Sequence, residues 1–371
     1  MMTISSRRSR FRGLALCCVL FAGCGSSPAA PLVTATTVAA NPASPSLTPS
    51  AVATARASAT PDDSLLLAGL VGRIAFVDEK SAPDHAQIYV ADETRVRQLV
   101  ASKFDDRTPV ISPDGKRLLF TRYTADGAPP DDGGVFVVDV DGTYLHKVDA
   151  QGEDASWSPD GSKLVFTRDL FDPGATTPYS VSLWIENLDG SDAHQITRKG
   201  LRCDNVCAGG WQDNQARWSP DGKRLVFLRD LYTKPEHYEI VTSSVDGSDI
   251  KVVTPAKMDV GNPSWSPDGS LILFQSPPEP GNTEQNLYTI KPDGTGLTQL
   301  TSHLSKDGDG VEGAFHPSWS PDGTSIVFSH YPGISAGATL YMIQADGSAM
   351  RQLTGDRFNA NAADWGVLPK P

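Results

Sequence analysis

Three arginines stand at one repeated place in this chain: Arg122, Arg168 and Arg229, each two residues after the phenylalanine of a recurring segment. A planar guanidinium fork binds carboxylates and phosphates with two parallel hydrogen bonds, so an arc of three could hold an anionic group. Asp78, Ser276 and His330 fill the matching place in the other copies. A second set lies three residues before each repeated tryptophan position: Thr108, Asp154, Gln215, Asn262, His316 and Ala362, five of six polar. One acid, two amides and an imidazole could orient a polar ligand, and His316 with Asp154 and a metal could support hydrolytic or lyase chemistry. The competing reading pairs each arginine with an acid such as Asp169, Asp230 or Glu153 and makes the polar set a wet lining.

Other stretches carry weaker signals. Gly333-Ile334-Ser335-Ala336-Gly337 has the G-x-S-x-G spacing of a serine nucleophile, but it falls between two strand-like segments rather than on a strand-to-helix elbow. Asp307, Asp309 and Glu312 offer only part of the six or more oxygens that Ca²⁺ takes. No catalytic residue, resident metal or cofactor is therefore expected. Cys203 and Cys207, in RCDNVC, are expected to form a small-loop disulfide in an oxidising compartment.

The elements that position these residues are repeats. ISPDGKRLLF from Ile111 returns as WSPDGSKLVF, WSPDGKRLVF, WSPDGSLILF and WSPDGTSIVF from Trp157, Trp218, Trp265 and Trp319. Ser-Pro-Asp-Gly is a tight-turn sequence, with proline pre-set for the second position. The flanks alternate as strands do, and a second strand leads to another Asp-Gly turn, as in VFVVDVDG from Val135 and LYMIQADG from Leu340. With a last strand ending in HKV, HQIT, KVVT, TQLT or RQLT, each unit has four short antiparallel strands. Such a unit cannot bury both faces alone, and roughly 40 to 50 residues is the period of a β-propeller blade. Three N-terminal strands from Ile74 lack a tryptophan strand, and the chain ends with one, Ala363-Asp364-Trp365-Gly366. Joined, they make a sixth blade. The expected fold is all-β, a six-bladed propeller of four-stranded blades, its ring closed by the C-terminal Trp strand.

The SPDG repeat resembles that of the TolB-like propellers, a WD-like repeat also found in the propeller domains of prolyl oligopeptidase-type and tricorn-type peptidases. The resemblance covers roughly 300 of the 371 residues and implies a fold more strongly than a function. No α/β domain of the TolB kind is read ahead of the blades, so TolB's own partner is not implied. Both tight-turn families fall at one end of the strands and every long insertion at the other, which makes that second face the binding face. The first polar set would then begin the innermost strands and line the channel mouth, with the arginines beside it.

The N-terminus suggests an address. Arg7, Arg8, Arg10 and Arg12 precede GLALCCVLFAG, an export-signal layout too short to span a membrane, and Leu20-Phe21-Ala22-Gly23-Cys24 resembles a lipoprotein processing box. The expected domains are residues 1–23 as signal peptide, 24–63 as an Ala/Pro/Ser/Thr-rich disordered tether lipid-anchored at Cys24, and 64–371 as propeller. Loss of the four leader arginines deepens the net charge from −12 to −16, which argues against nucleic acid. Two readings follow. The favoured one is a monomeric, non-catalytic lipoprotein outside the cytoplasmic membrane, presenting its long-loop face to an envelope protein, peptide or glycan. The other is a small hydrolytic or lyase-type propeller enzyme with a metal at the channel mouth.

Overall fold

The computed structural model describes residues 67–80, 85–123, 133–149, 151–171, 179–197, 211–231, 237–256, 258–279, 282–302, 312–333, 337–355 and 357–369. All belong to the unit Ala55–Pro371. Residues 1–63, with the expected signal, tether and Cys24, and the pair Cys203 and Cys207 lie outside them.

Every regular element among these residues is a strand. Strands β1 (Arg73–Asp78), β2 (Gln87–Asp92) and β3 (Arg95–Val100) open the chain. The second sheet holds β4 (Asp105–Ile111), β5 (Arg117–Tyr123), β6 (Gly134–Asp139) and β7 (His146–Asp149). The third holds β8 (Gly152–Trp157), β9 (Lys163–Phe171), β10 (Tyr179–Asn187) and β11 (His194–Gln195), and the fourth β12 (Trp211–Trp218), β13 (Arg224–Leu231), β14 (His237–Ser244) and β15 (Lys251–Val252). The fifth is β16 (Gly261–Trp265), β17 (Ile272–Ser276), β18 (Glu284–Ile290) and β19 (Thr298–Gln299). The sixth is β20 (Glu312–Trp319), β21 (Ser325–Tyr331), β22 (Thr339–Gln344) and β23 (Arg351–Gln352). The last strand, β24 (Ala360–Gly366), pairs antiparallel with β1, bringing Trp365 opposite Ile74 in the seam sheet β24-β1-β2-β3.

Each SPDG turn is held twice. Gly222 N–H donates to Ser219 C=O at 2.9 Å, while Ser219 Oγ donates to Asp221 at 2.6 Å and accepts the Arg224 N–H at 2.9 Å. The other four copies repeat all three bonds. These bonds favour the ionised acid: the Ser158 hydroxyl and the Ser162 amide and hydroxyl lower Asp160 to about 2. The turn therefore delivers a strand pair in fixed register, and alternation along it sends the repeat phenylalanines inward.

The core is divided between sheets. Phe76, Phe120, Phe166, Phe227, Phe274 and Phe328 are fully buried at the same place of each second strand. Six apolar clusters each join two neighbours. One joins the seam sheet to the second through Ile88 and Phe120, and another joins it to the sixth through Ile74 and Val327. The remaining four link second to third, third to fourth, fourth to fifth and fifth to sixth. The repeat tryptophans pack in these clusters, Trp157 also donating through Nε1 to Val110 C=O at 3.1 Å.

The fifth and sixth sheets differ from the four-strand expectation by sharing a short parallel bridge, Glu284–Gln285 of β18 beside Glu312–Gly313 of β20. Gly313 makes it possible. Its φ is +106°, and a Cβ there would lie 2.1 Å from Gln285 O.

Ser219→Ala removes one donor and one acceptor from a repeated turn, and is expected to cost about 1 kcal/mol in urea denaturation. An unchanged midpoint would show that proline and glycine alone set the turn.

Candidate functional site

The first polar set occupies one structural position in all six sheets. Thr108, Asp154, Gln215, Asn262, His316 and Ala362 have φ between 48° and 55°, the left-handed region that non-glycine residues rarely adopt. The register of β4, β8, β12, β16 and β20 with its neighbour shifts at this point, between Arg107 and Val110 in β4 for example. The pairing of β24 with β1 shifts likewise. Each innermost strand thus carries a bulge, which turns one side chain and one amide out of the ladder. All six residues are half-buried.

The freed amides tie sheets together. Asp154 N–H donates to Thr121 Oγ1 at 3.1 Å, Asn262 N–H to Gln215 Oε1 at 2.8 Å, and His316 N–H to Gln275 Oε1 at 2.8 Å, in each case to the preceding sheet. Thr108 Oγ1 donates to Thr121 Oγ1, and Asn262 Nδ2 to Gln275 Oε1. Thr108, Gln215 and Asn262 therefore help to hold the inner wall. Asp154 and His316 are different. Among the described residues, no donor meets the Asp154 carboxylate, and His316 Nδ1 is enclosed with no partner.

Charge around these two is set by residues the motif search passed over. Arg217, on β12 two residues past Gln215, donates through Nη1 to Ala216 C=O at 2.9 Å. It feels Asp154 and Asp364 through space, but no ion pair within 4 Å joins it to either. Asp364 accepts Ile111 N–H at 2.8 Å and the Ser318 hydroxyl at 3.3 Å. Burial pushes both carboxyls up, against the pull of Arg217 on Asp154 and of the Ile111 amide and Arg217 on Asp364. Each keeps some surface open yet is walled by protein, as befits a narrow channel lining. Desolvation lowers His316 to about 4, leaving it uncharged at neutral pH. Arg107 is engaged by Asp105 at 2.8 Å and Glu79 at 2.7 Å. A sequence signal for Arg217 and Asp364 did exist: they directly precede Trp218 and Trp365, where other copies have Ser156, Ser264, Ser318 and Val110.

The three arginines of the second set are each met by a carboxylate. Arg122 places Nε and Nη2 on Asp106 at 2.7 and 2.9 Å, and Arg229 places the same atoms on Asp213 at the same distances. The side chains are 8% and 0% exposed in the first pair and 13% and 1% in the second. Arg168 faces Gly152 instead of an aspartate and pairs with Asp149. For Arg122 and Arg229 the acid comes from the facing strand, and for Arg168 it comes from β7. These arginines lie one strand out from the axis, stacked on aromatic rings such as Phe136 and Trp184. His330 likewise packs edge-on against Tyr341, 4.9 Å between centroids.

Glu186 on β10 is 2% exposed, and its Oε1 has no partner. Burial and nearby Asp149 raise it to about 7, against the attraction of Arg168. Among the described residues no three of His, Cys, Asp and Glu converge to hold a metal. Gly333 lies between antiparallel neighbours β21 and β22, and residues 334–336, with Asp307 and Asp309, are outside the described set.

Six four-stranded sheets round a bulged inner wall define a β-propeller with a polar channel. The chain belongs to the TolB beta propeller domain family, whose model matches residues 71–309, more than half of the sequence. A curated relative, the uncharacterized peptidase YuxL of Bacillus subtilis, is 26% identical over 209 residues, 47% of this chain and 29% of the relative. A TolB homolog of Chlorobium luteolum is 27% identical over 225 residues, 61% of this chain and 46% of the relative. The chain spans less than half the length of these two relatives. TolB from Acinetobacter baumannii shares the fold with a TM-score of 0.59 at 18% identity, over 80% of this chain and 67% of that one.

Two outcomes follow from these buried charges. Arg122→Ala leaves Asp106 buried and unpaired, and is expected to cost about 3 kcal/mol of stability; a melting temperature within a degree of wild type would contradict the pairing. Glu186 is raised in the folded chain above its ordinary 4.5, so its contribution is most favourable below that value and declines as pH rises through 7. Glu186→Gln should therefore raise the melting temperature at pH 8, by an equivalent of roughly 2 to 3 kcal/mol, and change it little at pH 4.5. Equal shifts at both pH values would count against a titrating Glu186.

Proposed function

We propose that this protein is a non-catalytic binding module of the cell envelope, presenting the channel mouth and long-loop face of its propeller to an envelope protein, peptide or glycan. The observation that carries the reading is the inner ring itself. Six left-handed residues sit at one level, and while Thr108, Gln215 and Asn262 support the wall, the Asp154 carboxylate meets no donor among the described residues and the enclosed His316 Nδ1 has no partner. Backbone strain and unpaired polar groups at one place are a common mark of a ligand site. Kinship with TolB proteins, one of which is named as part of a Tol-Pal system, supports a role outside the cytoplasmic membrane. The basic, apolar leader ending at Cys24 supports export and lipid attachment, with residues 24–63 as tether. On this reading the chain works as a monomer and Cys203–Cys207 stiffens one loop of the binding face.

The test is cross-linking of the full chain in its native envelope. Wild type should capture one specific partner, and a variant carrying Asp154→Asn and His316→Gln should lose it while melting normally. Capture that survives both changes would place binding elsewhere. In the same cells Cys24→Ser should move the protein from the membrane to the soluble fraction, and continued membrane retention would refute the anchor.

A further inference from the structure

Every large apolar side chain that stands exposed among the described residues lies at one end of the strands, the end of the tight turns. Both turn families meet there: Val140 N–H donates to Lys116 C=O at 2.9 Å in the second sheet, and the amides of Leu188, Val245 and Ala345 repeat the bond in the third, fourth and sixth. Tyr144, Ile250, Leu297 and Met350 follow the Asp-Gly turns of the second, fourth, fifth and sixth sheets, two or three residues past the glycine. Val252 stands just beyond Ile250 on β15. Val71, Val367 and Leu368 flank the seam pair β1 and β24 at the same end. There Val71 C=O accepts Trp365 Nε1 at 2.7 Å, and a Cβ on Gly115 of the first SPDG turn would lie 2.5 Å from Val367 O.

Apolar groups that recur at one level on separate sheets differ from the single exposures of an ordinary surface. Tyr144 is 80% exposed, and its φ of 53° is a strained conformation for a bulky residue. Asp192, Asp249, Gly296 and Ala349 hold the same turn place in the other sheets, so the turn itself does not call for an aromatic ring. The exposed side chains are spread round a rim, one or two to a sheet. That spacing suits a flat, fluid surface better than the compact central cluster of a protein interface, and a tyrosine ring suits its headgroup level.

The chain enters the propeller at this same end. Leu67 and Leu70 are buried in the cluster that joins the seam sheet to the sixth, and Ala68 C=O accepts Arg351 Nη2 at 3.2 Å, one residue from Met350. A tether from Cys24 therefore reaches the propeller beside the exposed set. Lipid held close in this way has a high effective concentration, so contacts that are weak singly act together. Charge at this end is mixed, the turn aspartates standing beside Lys116, Lys223, Lys251 and Lys291, which suits a zwitterionic headgroup layer rather than a strongly charged one.

We propose that the tight-turn face of the propeller rests on a zwitterionic phospholipid surface, with Tyr144, Ile250, Leu297 and Met350 in the headgroup layer and the long-loop face turned away from the membrane. This rests on the lipid-anchor reading and adds an orientation to it.

The test is hydroxyl-radical footprinting of the full chain, lipidated at Cys24 and reconstituted in phosphatidylcholine vesicles, against the Cys24→Ser chain free in buffer. Tyr144, Leu297 and Met350 should be oxidised about threefold more slowly on vesicles, while Tyr123 and Tyr331, at the opposite end of the strands, keep their rates. Leu297→Asp together with Met350→Asp should return Tyr144, on another sheet, to the free rate with an unchanged melting temperature. Equal rates on vesicles and in buffer, protection of the long-loop end instead, or protection of Tyr144 that survives the double change would overturn the proposal. Protection that appears in the free chain as its concentration rises, without lipid, would give the face to a second copy and overturn the lipid assignment. A lipidated chain without protection keeps the anchor and removes the docking. A chain that carries no lipid but is protected at Tyr144 by added vesicles keeps the docking and removes the anchor.

Discussion

A peptide amide turned out of its ladder is the constraint on which the centre of this molecule depends. Each innermost strand forces one residue to φ near +50°, at a cost of about 1 kcal/mol or more for a side chain other than glycine. The three observed ties show what the distortion achieves. Asp154, Asn262 and His316 give their amide hydrogens to oxygens of the preceding sheet, so the bulge replaces a bond within one sheet by a bond between two. Stacked sheets also touch through apolar clusters, which hold without direction. The amide ties add direction at the axis, where six strand starts must keep a common level for a channel to exist.

That geometry also decides which charges are available. Residues of the second strand are one strand removed from the axis, and alternation turns Arg122, Arg168 and Arg229 toward aspartates and aromatic rings between sheets. Burying a guanidinium there is tolerable because both ends of the fork are met in two of the three. With those arginines engaged, the axis is left to Asp154, Asp364, His316 and Arg217, few in number and strongly influenced by enclosure.

Much of this was legible in the sequence, for reasons that differ by feature. SPDG names its turn because proline, aspartate and glycine each have one task there, and the observed bonds of Ser112 through Ser320 repeat that task five times. The pairing of β24 with β1 followed from counting strands at the two ends. Placing Thr108, Asp154, Gln215, Asn262 and His316 at one level needed only their common distance from the tryptophans. Their left-handed backbone was not legible, because threonine, glutamine and histidine do not announce positive φ as glycine does. Nor were the arginine partners. Asp106 and Asp213 lie 16 residues from Arg122 and Arg229, opposite them only once β4 and β12 are registered with their hairpin partners. The bridge between β18 and β20 was also hidden, since it depends on Gly313 meeting a strand of the preceding sheet.

The account stands or falls on whether the arginine forks are structural, because only then are those guanidiniums withheld from a ligand at the inner strands. A double-mutant cycle on Arg229 and Asp213, each changed to alanine singly and together, measures this by urea denaturation. Buried partners should show a coupling above about 1.5 kcal/mol, the double variant being less destabilised than the sum of the singles. Additive losses would mean that Arg229 is free of Asp213, and would return the basic arc to the channel as an anion site.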